Sequence, residues 1–543
     1  MSKDIIHRSA WDRIKSIFKP IDLSKGTPWK VILLFWVPVV LSYLFQQSYT
    51  LIDELICGHY LEAAYVTGID DTNSLTFLVL QFAFGCSAGF SVVSGAKKGE
   101  NDMDGLRKSF VTQMLLALVV SIVLTIVAVL CVDPLLDLLN INEANTRGAS
   151  KIFITTIYAG LFTQVFYNLI CAFLRSIGDS LTPFLFLFGS TVLSVGLDFL
   201  FIAGIGNKMP DFGLAGAGGV FGAAMSVNIA QFLAAAGCIA YALWRYPFIR
   251  PKKSDFKIDW KFTLEHLKLG LPLAFQFSIL AIGLIVLQSN VVDFDTFSQK
   301  YYSEKGNYYK DIFGITYSPI HENNGTLSFN MAQAAFGPSN KFETFLETTL
   351  DALGATMISY CSQNRGARKY DRIKLGLKQA TYIALIICTC IMLIELLASI
   401  NGAYLYLFLA KNYVTDAVKH YGQMYFYFVA PTTYILGLLF IYRSSVQGLG
   451  KSLFPLMAGI MEVIARVLVS LFVPTIMANL TGKNALTAAY GPHYGWSYLS
   501  VCIAHPAAWI LACIPCLIGL VYYVFQGKLE KIDKKKYGDG PIL

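Results

Sequence analysis

Two carboxylates stand where a hydrocarbon environment makes a charge costly. One is Asp53, in LFQQSYTLIDELI, and the other is Asp198, near the end of LTPFLFLFGSTVLSVGLDFL. An ionised Asp at the bilayer centre costs at least about 2.5–3.5 kcal/mol on insertion scales, so such a residue faces a cavity, a partner or a bound cation. With a rise of about 1.5 Å per residue from the basic ends of their segments, Asp53 lies about 34 Å along and Asp198 about 26 Å along, both in one half of the bilayer. Two acids at similar depth favour a proton or cation site. Short polar groups nearby could complete it: Ser194, one turn before Asp198 on the same helical face, and Ser226 and Asn228 in the following span. Gln46, Gln47 and Tyr49 lie just before Asp53. Each such group can also serve as interhelical glue.

The second half of the chain carries a different set. Glu343, Glu347 and Asp351 fall at intervals of four on one helical face; the first two read as a solvated outer turn, and Asp351 sits about 12 Å deeper than Glu343 by helical rise. Glu395 is a further outer-half acid. Glu462 and Arg466 stand i, i+4 and can form an ion pair lining the interior. His505, followed by Pro506, could relay protons or sit as a satisfied core residue. The eleven cysteines fall almost entirely in apolar runs and read as small buried hydrophobes. No metal site or disulfide is assigned. The glycine run GLAGAGGVFGAA follows no strand, so helix contact explains it better than nucleotide binding.

The elements that must position these residues are membrane helices. Only 14% of the 543 residues are charged against 55% hydrophobic, where a soluble protein has about 25% charged residues. The mean hydropathy is +0.54. Twelve apolar spans are predicted near 31–56, 74–95, 110–132, 152–174, 181–204, 214–244, 266–290, 342–362, 377–400, 418–442, 453–477 and 497–525. Lys and Arg concentrate in the connections after the even-numbered spans and at both ends of the chain, which places both termini in the cytoplasm by the positive-inside rule. The loop assignment includes Arg175 and Arg443. No cleavable signal peptide is expected, and residues 1–29 read as a cytoplasmic amphipathic segment, with Ser9 to Phe18 lying on the membrane surface. Residues 526–543 form a basic tail. The charge of +8 is explained by topology, so nucleic-acid binding is not expected. Two N-x-Thr sequons, at Asn324 and Asn479, fall in predicted outer loops.

The chain also repeats itself. LRSIGDSLTPFLF is echoed by VQGLGKSLFPLMA, with Gly450 standing 272 residues after Gly178, Ser452 for Ser180 and Pro455 for Pro183. Pro272 repeats Pro38 at an offset of 234, so extra residues must fall between these points, in the tyrosine- and asparagine-rich stretch 291–340. The position matching Asp53 is Leu287, so any ion site is asymmetric between the halves. The expected architecture is all-α: twelve transmembrane helices in two pseudo-symmetric six-helix lobes, 30–250 and 251–525.

Together, the paired turns, the Pro38 to Asp53 interval, the Ser194–Asp198 spacing, and the GAKKGE and QNRGARKYDR loops resemble the multidrug and toxic compound extrusion transporters, over roughly 31–525 apart from 291–340. The resemblance implies two lobes across a central cleft and export of cationic amphipathic small molecules, driven by inward proton or sodium flow. It places the amino-lobe cation and proton site on Asp53 and Asp198. Ser194 stands where the family usually has Asn, and GAAMSVN replaces the usual GAAxAT, leaving Ser226 or Asn228 to serve. Gln276 stands where some members have an acid. These departures weaken sodium coordination and favour protons, although Na+ at Asp53 and Asp198 stays open. Cleft candidates are Gln46, Gln47, Tyr49, Gln276, Asp351, Glu462 and Arg466. No cofactor is expected, and a plasma-membrane monomer is. Three other classes stay in view. A flippase of lipid-linked oligosaccharides or lipid precursors would need a strongly cationic cleft. An enzyme would need a catalytic cluster such as HExxH, which the sequence lacks. A channel or receptor would pass ions without coupled cargo.

Overall fold

The computed structural model describes residues 20–138, 141, 143–214, 216–305, 309–310, 316–317, 331–480 and 497–537. Twelve long helical segments follow one another. In the first half these are α1 (Pro28–Tyr60), α2 (Ala63–Gly99), α3 (Met103–Leu130), α4 (Ala144–Ala159 and Leu161–Ser176), α5 (Leu181–Asp198) and α6 (Gly218–Arg245). The second half holds α7 (Trp260–Lys305), α8 (Met331–Gly366), α9 (Tyr370–Ser399), α10 (Asp416–Gly448), α11 (Leu453–Leu480) and α12 (Ser497–Leu520). Ten are long and apolar enough to cross a membrane, and α4, bent by 48°, is an eleventh if it counts as one span. α8 fails that test because it carries Glu343, Glu347 and Asp351. Each predicted span falls mostly within one of these helices, most of them longer than expected, while the spans at 110–132, 181–204, 214–244, 377–400 and 497–525 overrun a helix end by one to six residues.

Local chemistry sets the helix ends. Pro28 opens α1, where its missing N–H costs nothing. The Asp102 side chain caps α3 through Gly105 N–H at 2.8 Å, and Thr415 caps α10. The repeated turns rest on a left-handed residue: Gly178 has φ +100° and Gly450 φ +69°. A Cβ on Gly178 would also strike the Ile21 carbonyl. Arg107 binds Asp255 at 2.7 Å, tying α3 to the connection between α6 and α7. That guanidinium holds the Asp255 carboxyl below the usual carboxylate range.

Apolar side chains stand outward in bands, among them Leu118, Ile122, Ile126 and Leu130 on α3 and Ile386, Leu393 and Leu397 on α9. Patches of this extent would aggregate in water and fit lipid. The two halves meet along small residues. Gly85 of α2 faces the Leu273–Ala274 backbone of α7, Gly89 faces Gly270, and at the predicted cytoplasmic end Gly99 and Gly366 face Gln363 and Ala96 across the α2–α8 contact.

The stretch 291–340 is helical at both described ends, since α7 runs on to Lys305 and α8 begins at Met331. The Asp295 carboxylate accepts the N–H groups of Ala332 and Gln333 at 2.9 and 2.8 Å, joining the two ends through the first turn of α8. Between them, β1 (Tyr309–Lys310) pairs antiparallel with β2 (Thr316–Tyr317). The surface helix expected over Ser9 to Phe18 and the sequon at Asn324 lie outside the described residues. Asn479 ends α11.

Candidate functional site

Asp198 is fully buried at the end of α5, and the chain widens at once into a π-helical turn, Phe199–Gly204. Such turns recur at functional positions because they re-aim the side chains around them. The Ser226 hydroxyl of α6 donates to Asp198 Oδ1, while Oδ2 has no partner among the described residues. Two more buried oxygens stand there facing each other, Ser194 Oγ and Tyr49 Oη. Asp53 lies in electrostatic contact with Asp198 and with Glu54 and Asp70. Tyr49 is within electrostatic reach of both Asp53 and Asp198. The structure thus brings Asp53, Asp198, Ser194, Ser226 and Tyr49 together between α1, α5 and α6. These oxygens suit a proton or a hard cation such as Na+.

Asn228 is not part of this group, contrary to expectation. Its side-chain amide donates at 2.7 Å to the Thr156 carbonyl, filling the bend of α4 where Gly160 leaves room. At the bend the Gly160 N–H is shared between the Thr156 and Ile157 carbonyls at 3.2 and 3.1 Å, and Asn228 gives the Thr156 carbonyl a second, shorter bond inside the membrane. Asp70, on α2, joins the acidic group but reads in sequence as part of a loop.

A small cavity of about 30 Å³ opens between the halves. Its wall takes Tyr43 from α1, Phe84 from α2, Arg175 from α4, Phe277 from α7, Asp351 from α8 and Arg443 from α10. Arg175 and Arg443, assigned by sequence to cytoplasmic loops, are 9% and 6% exposed and lie within helices. Basic residues near a span end are read as loop when the helix's true length is unknown, and α4 and α10 both run past the predicted ends. Asp351 lines this cavity, as expected for a cleft residue. Gln46, Gln47 and Gln276 do not. Gln276 is buried against Gly459 of α11, with both amide atoms unpartnered among the described residues.

Behind the wall, Glu462 sits between Arg443 at 3.2 Å and Arg466 at 3.6 Å. The pair expected at Glu462 and Arg466 is therefore a triad. Glu343 is 2% exposed rather than solvated, because α8 starts three turns before it. Tyr425 of α10 donates to its Oε2, and Glu347 contacts the same carboxylate. Thr433 donates to Glu395 at 3.5 Å. His505, also buried, lies edge-on to Tyr425 with ring centroids 6.2 Å apart. Its Nε2 is unpartnered among the described residues.

A bundle of membrane-length helices in two related halves, with a central cavity and buried carboxylates, defines a polytopic membrane transport protein. The MatE family model matches residues 38–200 and 330–472, one match in each half, and the chain belongs to that family of multidrug and toxic compound extrusion transporters. It is 23% identical over 513 residues to the probable multidrug resistance protein YoeA of Bacillus subtilis, covering 94% of this chain and 96% of the relative. To the probable multidrug resistance protein NorM of Thermotoga maritima it is 23% identical over 250 residues, covering 46% of this chain and 52% of that protein. A solved structure of a multidrug resistance MATE family transporter in its outward-facing conformation superposes with TM-score 0.73 at 17% identity, covering 94% of this chain and 99% of the other. A transporter of the same superfamily from Pyrococcus furiosus, described as having a binding pocket of reversed polarity, superposes with TM-score 0.72 at 17% identity, covering 93% and 98%.

Proposed function

We propose that the protein is a secondary antiporter that exports amphipathic small molecules by alternating access, driven by inward flow of protons or sodium. The observation that carries this is Asp198: a fully buried carboxylate with one oxygen held by Ser226, the other free, and a second acid, Asp53, beside it. An ion or proton arriving there removes buried charge, which changes how α1 sits against α5. Coupling is reciprocal, so cargo in the central cavity and the ion at Asp198 each lower the other's affinity. The buried oxygens of Ser194 and Tyr49 support either ion. The missing family Asn at 194 favours the proton.

The halves act as two lobes, 30–250 and 251–525, in a monomer placed in the plasma membrane with both termini in the cytoplasm. The resemblance implies a cargo with a cationic centre, which Asp351 would receive. A flippase of a lipid-linked precursor is the second reading, favoured by Arg175 and Arg443 in the cavity wall. The test is dye efflux from proteoliposomes under separately imposed proton and sodium gradients. One gradient is expected to drive efflux in the wild type, and Asp198→Asn and Asp53→Asn to lower it at least about tenfold, as loss of about 1.4 kcal/mol of coupling requires. Full gradient-driven efflux by both variants would falsify the assignment.

A further inference from the structure

The central cavity holds an imbalance of charge. Its wall carries two guanidinium groups, Arg175 and Arg443, and one carboxylate, Asp351. Arg443 is already bound to Glu462 behind the wall. Arg175 has no ion pair among the described residues; its guanidinium lies over the Tyr43 ring at 5.7 Å, and the residue lines the cavity. Asp351 feels both arginines electrostatically but forms no ion pair with either among the described residues. The wall therefore presents a free cation and a free anion across an open space, with a second cation beside them. A buried guanidinium without a counter-ion is costly, and its five N–H donors suit a planar acid bound in two-point fashion. Around these charges stand aromatic rings, Phe84 and Phe277 in an edge-to-face pair at 5.4 Å. At about 30 Å³ the cavity is far smaller than the roughly 300–1,000 Å³ of drug-sized ligand sites, so a cargo of that size is received only as the halves part.

We infer that the cargo carries a carboxylate or comparable acidic group, taken by Arg175, on an apolar aromatic body seated against Phe84 and Phe277. A cationic centre on the same molecule would face Asp351, so a zwitterion uses the whole wall. A cargo that is only a cation meets one carboxylate and two guanidinium groups, and like-charge contact opposes it. This rests on the central cavity being the cargo site of the antiporter proposed above.

Three xanthene dyes of similar shape separate the cases by fluorescence polarisation with the full chain in detergent. Rhodamine B carries a free carboxylate and a delocalised cation, rhodamine 6G is a related dye whose carboxyl is an ethyl ester and which is purely cationic, and fluorescein is an anion. Rhodamine B is expected to bind at least about tenfold more tightly than rhodamine 6G, the scale of one charge-assisted hydrogen-bonded pair. Arg175→Gln should abolish that preference, and Arg175→Lys should retain part of it. Asp351→Asn should weaken rhodamine 6G and strengthen fluorescein, giving a reading that does not depend on the Arg175 variants folding. Equal binding of the two rhodamines by the wild type, or an unchanged ratio in Arg175→Gln, overturns the inference. Competition by geranylgeranyl pyrophosphate distinguishes the source of the acid: stronger displacement by it than by fluorescein assigns a lipid-linked acid, and the reverse a free one. If carboxylate preference is present but no gradient drives dye efflux, the antiporter reading fails and the inference about the acid stands. Gradient-driven efflux without preference has the opposite meaning.

Discussion

Glu462 shows how far a single side chain can depend on a helix that sequence spacing does not point to. Its i, i+4 partner Arg466 is legible in the sequence, but the shorter contact is with Arg443 of α10, which no local pattern predicts. The arrangement fixes an order of effects. Glu462→Gln leaves two buried guanidinium groups without a carboxylate and should destabilise the protein by about 3–5 kcal/mol. Arg466→Met leaves Glu462 bound to Arg443 and should cost clearly less. Thermal denaturation of the purified variants in detergent checks the order, and equal losses would contradict the triad. The same limit governed the ion site. Asp53, Asp198 and Ser194 are visible as polar residues at matched depth in apolar helices, because the bilayer makes such residues conspicuous. Asn228 looks equally eligible in sequence, and only the bend at Gly160 reveals that it serves α4 instead. Asp70 escaped notice because α2 begins at Ala63, some three turns before its apolar stretch.

The helices themselves were largely readable, since about 20 apolar residues are needed to cross a bilayer and few other patterns look alike. Their ends were not, because helices here continue past the hydrocarbon on polar residues that other helices satisfy. α8 is the extreme case, adding more than two turns of helix ahead of Glu343 and so burying an acid that spacing alone leaves in water. Close approaches of helices are likewise hidden until the partner is known. At the predicted cytoplasmic end, a Cβ on Gly99 would overlap the Gln363 carbonyl, and one on Gly366 would overlap Ala96. Backbone carbonyls cannot yield as a flexible side chain does, so Gly99→Val must separate α2 from α8. Overpacking of this kind typically costs about 1–3 kcal/mol. The loss should fall on the closed arrangement of this end, and hydrogen exchange should rise in the amides of 20–26 and 363–369. Unchanged exchange in a folded Gly99→Val protein would show that this contact does not hold the end shut.

For the molecule as a whole, the lead-in to α1 and the ends of α4 and α8 form one continuous closure between the halves. Ile21 N–H donates to the Gly178 carbonyl of the first half at 2.8 Å, and Leu23 N–H donates to Gln363 Oε1 of the second at 3.1 Å. Arg372 donates to the carbonyls of Leu23 and Lys25 at 3.2 and 2.7 Å. Gln363 Nε2 reaches directly across to the Ser176 carbonyl at 2.7 Å. At the opposite end the halves touch through Lys341 and Glu54, an exposed pair at 2.8 Å that solvent and salt weaken. Among the described residues, closure is therefore firm at one end and slight at the other. Alternating access by two lobes requires the firm end to part once in each cycle, and the Gln363–Ser176 contact to break with it. Cysteines placed at Ser176 and Gln363, in a background lacking the eleven native cysteines, one of which, Cys390, is exposed, allow the contact to be fixed with a short bifunctional methanethiosulfonate, whose disulfide links to the two thiols a reductant cleaves. The cross-linked protein should lose gradient-driven efflux while still binding dye, the reduced protein should regain it, and each single-cysteine variant treated the same way should transport normally. Undiminished efflux by the cross-linked protein would mean that cargo crosses without separation of the halves at this end, which would return a channel-like path to contention.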